Sequence, residues 1–332
     1  MSPEASRPKP LRVLTWQVHG NYLYYLSQVP VEWWLVTRPA YPPGYGGRGA
    51  GLPWGRNVHE VPQGEVARQA FDLVLYQSRQ HWDVDRHDVL SAAQRELPCI
   101  YLEHDPPQQH PCDTPHRAQD ADLLVHVTPF NALMWDNGEL PTRVIDHTAF
   151  VAPDAAWRGD DPAGIAVVNH LARRGRRLGH DLYLRAQREV PLALAGMDSH
   201  LVPGGVGEIV NAQLPDFIGG YRYLFQPARW TSMALAVVEA MAIGMPIVGM
   251  ATTELPTVIE NGVNGWVDTN IETLIDVMRM LSRDRDTAQR WGDAARSTMQ
   301  LRFGPERFVR QWLEALDEAM ARPKRATARA AA

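Results

Sequence analysis

Beyond an N-terminal tail without an apolar period, short runs of aliphatic and aromatic residues alternate with helix-length segments. LRVLTWQVHG predicts a strand and the turn after it, NYLYYLSQV opens a helix, and EWWLVT is the next strand. A Gly/Pro-rich loop from Pro39 to Pro53 and a helical stretch lead to the strand FDLVLYQ. The helix VLSAAQREL then feeds the strand PCIYLEHD, and ADLLVHVTPF ends the series. Strands apolar throughout, alternating with helices, specify a parallel sheet covered on both faces, so this half predicts an open α/β domain.

Around TRVIDHTAFVAPDAAWRGDDPAG the pattern dissolves into Pro, Gly and Asp, a composition typical of an interdomain connection, with the boundary near Val151. The alternation restarts with GIAVVNHL, an Arg-rich turn and helix to Arg188, PLALAGM, a Gly-rich loop, YRYLFQP, a helix to Ile243 and MPIVGMA. Two α/β domains are expected, over 11–151 and 152–303, with ligands in the cleft outside the carboxyl ends of their strands. A helix over 304–320, with Phe308, Trp312, Leu313 and Leu316 on one face, is expected to pack back on the first domain. The segments 1–10 and 321–332 are expected to be disordered tails.

Composition narrows the chemistry. The formal charge of −5 gives no reason to expect nucleic acid or an anionic membrane as partner. Lys9 and Lys324 are the only lysines among 33 basic residues, which excludes a P-loop lysine and Schiff-base catalysis from the folded body. A phosphate clamp must then come from arginine, helix termini or backbone amides. Cys99 and Cys112 lack metal-finger spacing, no signal peptide is apparent, and the most apolar stretch, Met233 to Ala251, is interrupted by Glu239, Gly244 and Pro246. A cytoplasmic protein without an integral membrane segment is expected.

The most specific segment runs from Phe225 to Val267, FQPARWTSMALAVVEAMAIGMPIVGMATTELPTVIENGVNGWV. Thr231 or Ser232 is placed to cap the helix MALAVVEAMAI, and Gly244 suits the left-handed position after it. That helix is apolar on every face except at Glu239, and a buried carboxylate must be compensated. Either Glu239 meets an arginine such as Arg222 or Arg229 in a structural pair, or it accepts hydrogen bonds from a ligand. A ribose has two adjacent hydroxyls for it, and a diphosphate beside that ribose would suit the helix's free amides near Ser232, Met233, Ala234 and Leu235.

With Pro227 before the helix, VVEAMAIGMPIVGMATTELPTVIENGVNGWV and the later AARSTMQLRFGPERFVRQW, the chain resembles the retaining GT-B glycosyltransferases, family 4 (group 1) in particular, from about Ile165 to Trp312. The resemblance implies two Rossmann-like domains. It further implies a nucleotide-sugar donor on the second, a carbohydrate, lipid-linked or small-molecule acceptor on the first, and hexosyl transfer between them without a metal or other cofactor. Glu239 is similar to the second acid of the family's glutamate pair, the one that holds the ribose; the first acid falls on Thr231. Where relatives often have two glycines before Leu-Pro, this chain has Thr253 and Glu254, so the backbone is expected to approach a ligand less closely. The turn VVNHLARRGRRLGHDLYL sits where the family keeps its basic clamp, so Arg173, Arg174, Arg176 and Arg177 compete for one or two phosphate contacts, with Asn169, Arg173, Arg174 and Arg176 as candidate donor-binding residues and Arg177 as the candidate catalytic one.

In the first half, Gly20 follows the first strand, where a glycine lets backbone approach a phosphate, with His19 beside it. His104 ends a strand at the place where relatives often carry a cleft histidine, and Asp105 is the next candidate base or hydroxyl acceptor. The loop EHDPPQQHPCDTPH is rich in N, O and S donors, but its spacings match no metal pattern and no metal is assigned. Trp54 and Trp82 are expected in loops on the cleft side. The mechanism expected is front-face substitution. Two rivals are a catalytically silent nucleotide-sugar-binding or partner protein, suggested by Thr231, and a Rossmann oxidoreductase, disfavoured because no Gly-rich fingerprint follows LRVLTW or GIAVVNHL.

Overall fold

The computed structural model describes residues 9–49 and 51–322, so the expected tails fall almost wholly outside the described residues. The first half forms strands β1 (Arg12–Thr15), β2 (Glu32–Thr37), β3 (Val58–Pro62), β4 (Leu73–Tyr76), β5 (Cys99–Glu103), β6 (Leu123–His126) and β7 (Thr142–Val144). They pair in parallel in the order β3-β2-β1-β4-β5-β6-β7. The second half adds β8 (Asp161–Val167), β9 (Leu192–Ala195), β10 (Gly205–Gly207), β11 (Tyr221–Gln226), β12 (Ile247–Met250) and β13 (Gly265–Asp268), parallel in the order β10-β9-β8-β11-β12-β13. These are two Rossmann-like sheets, the GT-B arrangement.

β1, β4, β6, β11 and β12 are buried almost throughout, as the helix-covered faces of a parallel sheet require. The helix Pro305–Ala321 puts Phe308, Trp312 and Leu316 into the core of the first sheet, with Leu313 half-buried against it. Leu235 packs against the cores of both halves, and Tyr25, on the helix Gly20–Leu26, reaches into the second core.

Local expectations are corrected in three places. The apolar helix runs Leu235–Ala242, with Ala234 as its N-cap and no side-chain cap bond; Thr231 and Ser232 lie outside it, since the chain is still extended at Ala234. Between Pro53 and Phe71, β3 and the single turn Gln63–Val66 replace the predicted helical stretch. Trp82 is buried edge-on against Tyr76 and Tyr101, and Trp54 packs edge-on against Tyr24; neither lines the cleft.

Candidate functional site

The strand order reverses between β1 and β4 in one sheet and between β8 and β11 in the other, and crevices form at such points. A cleft of about 700 Å³ joins them, lined at the ends of those strands by Gln17, Val167, Asn169 and Gln226. Its walls also carry Gly20, His104, Asp105, Arg174, the run Thr231 to Ala236, and Glu239.

Glu239 is 3% exposed and bonds no guanidinium. The proposed structural pair is absent because Arg222 donates to the carbonyls of Gly159, Leu281 and Ser282, while Arg229 grips Asp181 at 2.6 and 2.8 Å. Instead the Tyr25 hydroxyl, from the other half, donates to Glu239 Oε1 at 2.5 Å, the Asn21 side chain lies close to the carboxylate, and Oε2 has no hydrogen-bond partner among the described residues. Burial pushes the Glu239 carboxyl above its ordinary pKa, and Tyr25 and Asn21 pull it back only in part. A buried acceptor left open on the cleft is a place for a donor hydroxyl.

Of the four candidate arginines, only Arg174 lines the cleft. It is half-buried and its guanidinium makes no hydrogen bond among the described residues; burial and then Arg177 lower its pKa, and Asp105 opposes them. Arg176 is drawn away by Asp181 at 2.7 Å, Arg173 is exposed, and Arg177, given a catalytic role from the sequence, lies outside the lining. The Arg177 carbonyl instead accepts the amides of Arg229 and Trp230. Asn169 lines the cleft and accepts the Met197 amide at 2.9 Å. Thus, of the turn's four arginines, Arg174 alone shares the cleft with the N-terminal end of the Glu239 helix and has its guanidinium free to meet an anion.

On the opposite wall His104 is 8% exposed, and its ring meets His19 edge-on at 4.5 Å and Tyr22 at 4.9 Å. Burial, with His19 and His147 nearby, lowers its pKa well below the usual histidine value, so the ring is neutral at physiological pH. His19 is exposed at the cleft surface yet crowded by protein, and that crowding lowers its pKa while Asp105 raises it. The Asp105 backbone is fixed by Glu103 Oε1 at 3.0 Å and by Trp135 Nε1 at 2.8 Å. Gly20 opens its helix without a left-handed φ, so the backbone there does not require glycine. His147 closes the floor, its Nε2 on the Met233 carbonyl at 3.0 Å. Sequence reasoning missed Tyr25, Asn21, Gln77 and His147; of these, Gln77 alone left a signal, as the polar end of an apolar strand.

Thr253 has φ +53°, the left-handed conformation a glycine adopts freely, and its hydroxyl donates to the Ser232 carbonyl at 3.2 Å. A β-branched residue there costs about 1–2 kcal/mol, while the hydrogen bond contributes about 1 kcal/mol. Thr253→Gly is therefore expected to be neutral to slightly stabilising. Thr253→Val, which keeps the strain and loses the bond, is expected to destabilise by about 1 kcal/mol. Urea midpoints check the pair; equal losses in both would refute the strain.

Sheet topology and cleft together define a glycosyltransferase fold of the GT-B class. Within it, residues 205–298 match the family described as glycosyl transferases group 1. An "uncharacterized 41.2 kDa protein in cps region" of Klebsiella pneumoniae is 31% identical over 87 residues, 26% of this chain. That match spans about a quarter (24%) of the relative's length. Sucrose-phosphate synthase of Thermosynechococcus elongatus is similar in fold, with TM-score 0.68 and 15% identity over 94% of this chain and 99% of that one. Anabaena HepE in complex with UDP gives TM-score 0.66 and 14% identity over 93% of this chain and 99% of that one. No helix among the described residues is long and apolar enough to cross a membrane.

Proposed function

We propose that this protein moves a hexosyl group from a nucleoside-diphosphate sugar to a hydroxyl of a carbohydrate, lipid-linked or small-molecule acceptor, with retention. The observation that carries this reading is Glu239, buried, facing the cleft, unpaired by any arginine and open at Oε2. The ribose hydroxyls donate to it. The diphosphate lies between the amides near Ala234 and the Arg174 guanidinium, which takes up the charge that develops on departure, and the reaction needs no metal for that purpose. The anomeric C–O bond to the diphosphate breaks as the acceptor oxygen bonds on the same face, and the acceptor proton passes to a leaving-group oxygen. His104 and Asp105 orient hydroxyls at the reacting centre. The complexes of the structural neighbour HepE with UDP and with UDP-glucose support a uridine donor.

A panel of UDP-, GDP- and ADP-sugars, read by thermal stabilisation and by nucleoside diphosphate release, tests the proposal. A donor at a hundred times its Kd stabilises by about 2.7 kcal/mol. The expected result is stabilisation and slow release with one base, unaffected by EDTA; absence of both with every donor would overturn it. Stabilisation without release in the presence of acceptor extracts would favour the silent-binder reading, which Thr231, a cleft residue without a carboxylate, supports.

A further inference from the structure

β4 ends at Tyr76, and the next residue, Gln77, is 4% exposed at the point where the first sheet reverses its strand order. A polar amide in that position must place both protons and its oxygen. The Thr15 hydroxyl donates to the Leu75 carbonyl at 2.9 Å, so its single proton is used. Thr15 Oγ1 can then only accept, and it does so from Gln77 Nε2 at 2.9 Å. The other Gln77 proton goes to the Trp16 carbonyl at 3.0 Å. Both neighbours being acceptors, the orientation of the amide is fixed by chemistry, and Gln77 Oε1 is turned to His104 Nε2 at 3.1 Å. A carbonyl oxygen cannot donate, so the proton of that bond belongs to the imidazole.

We infer that Gln77, oriented by Thr15 and Trp16, is a positioning residue that locks His104 in its Nε2–H tautomer and leaves Nδ1 to accept a hydroxyl proton in the cleft. This rests on the proposed sugar transfer for its purpose, but not for its geometry. Nδ1 has no hydrogen-bond partner among the described residues, and His104 lines the cleft. The His19 and Tyr22 rings stand edge-on to the imidazole and keep it from turning. A neutral imidazole with a fixed lone pair orients one hydroxyl of the transferred sugar or of the acceptor. The opposite tautomer would present an N–H to the same atom and leave Gln77 Oε1 without its donor.

The tautomer is read directly from histidine ¹⁵N shifts of the full-length protein without ligand. Expected for His104 at neutral pH is a protonated Nε2 and an unprotonated Nδ1; a protonated Nδ1 overturns the inference whatever the activity. Gln77→Leu removes the lock, and Thr15→Val, a milder change, removes one of the two acceptors that fix the amide and so loosens it. Either is expected to give averaged His104 tautomers and a turnover lower by about tenfold. An unaltered His104 spectrum in both folded variants would also overturn it. Because the wild-type spectrum needs no donor, failure of the tautomer and failure of glycosyl transfer are separate results.

Discussion

Replacing Glu239 by Ala is expected to weaken donor binding by about 3 kcal/mol, roughly a hundredfold in Kd, because one or two hydrogen bonds to a charged acceptor are lost. Titration calorimetry with the donor found in the panel measures it; an unchanged Kd removes Glu239 from the site. Glu239→Gln should move binding and stability in opposite directions. Burial raises the Glu239 pKa, so the native state holds this proton more tightly than the unfolded chain. Its favourable contribution is present at acid pH and is lost as pH rises through the raised value, which makes the ionised form a cost to folding near neutrality. The glutamine still accepts from Tyr25 and carries no charge. It is expected to unfold at higher urea than the wild type at pH 7 while binding donor more weakly, a pattern a purely structural carboxylate would not give. Donor hydroxyls favour the ionised form, so wild-type affinity should also fall as pH drops through that pKa.

The central strands were legible because burial on both faces forces continuous apolar runs; EWWLVT coincides with β2, Glu32–Thr37. β7 and β10 left no such run, since they are three residues long and partly exposed, and β3, VHEVP, places two polar residues between its only buried positions, Val58 and Val61. Glu239 could be singled out for the same reason in reverse, as one carboxylate in an apolar helix. Its partner Tyr25 could not be found, because it lies 214 residues earlier and reads as a helix-face aromatic. The basic turn was legible as a turn with four arginines. Which one faces the cleft was not legible: Asp181, five residues on, holds Arg176 away, while Arg174 lines the cleft with its guanidinium uncommitted.

Thr253 and Glu254 stand out in sequence as a departure, and the structure gives Glu254 a use the sequence did not suggest. It is 1% exposed, and its Oε2 accepts the Phe130 amide from the first half at 2.9 Å. Its Oε1 accepts from Arg302 Nη2 at 2.6 Å and from the Thr257 hydroxyl at 2.5 Å. Arg302 in turn reaches Asp146 at 3.3 Å, in the segment that connects the two sheets. Across the same junction the Trp230 indole donates to the Pro107 carbonyl at 2.8 Å, and its ring meets Phe130 edge-on. Glu254→Ala leaves the Phe130 amide unpaired and Arg302 with half its compensation, so the expected loss is about 3–5 kcal/mol in unfolding free energy. Glu254→Gln, which keeps one of the two acceptor oxygens, should lose less. Loss of the clamp also frees the halves to separate, so proteolysis in the segment between β7 and β8 should quicken in the alanine variant before global unfolding. A change under about 1 kcal/mol with unaltered cleavage would mean that the two halves are held by packing and that this carboxylate contributes little.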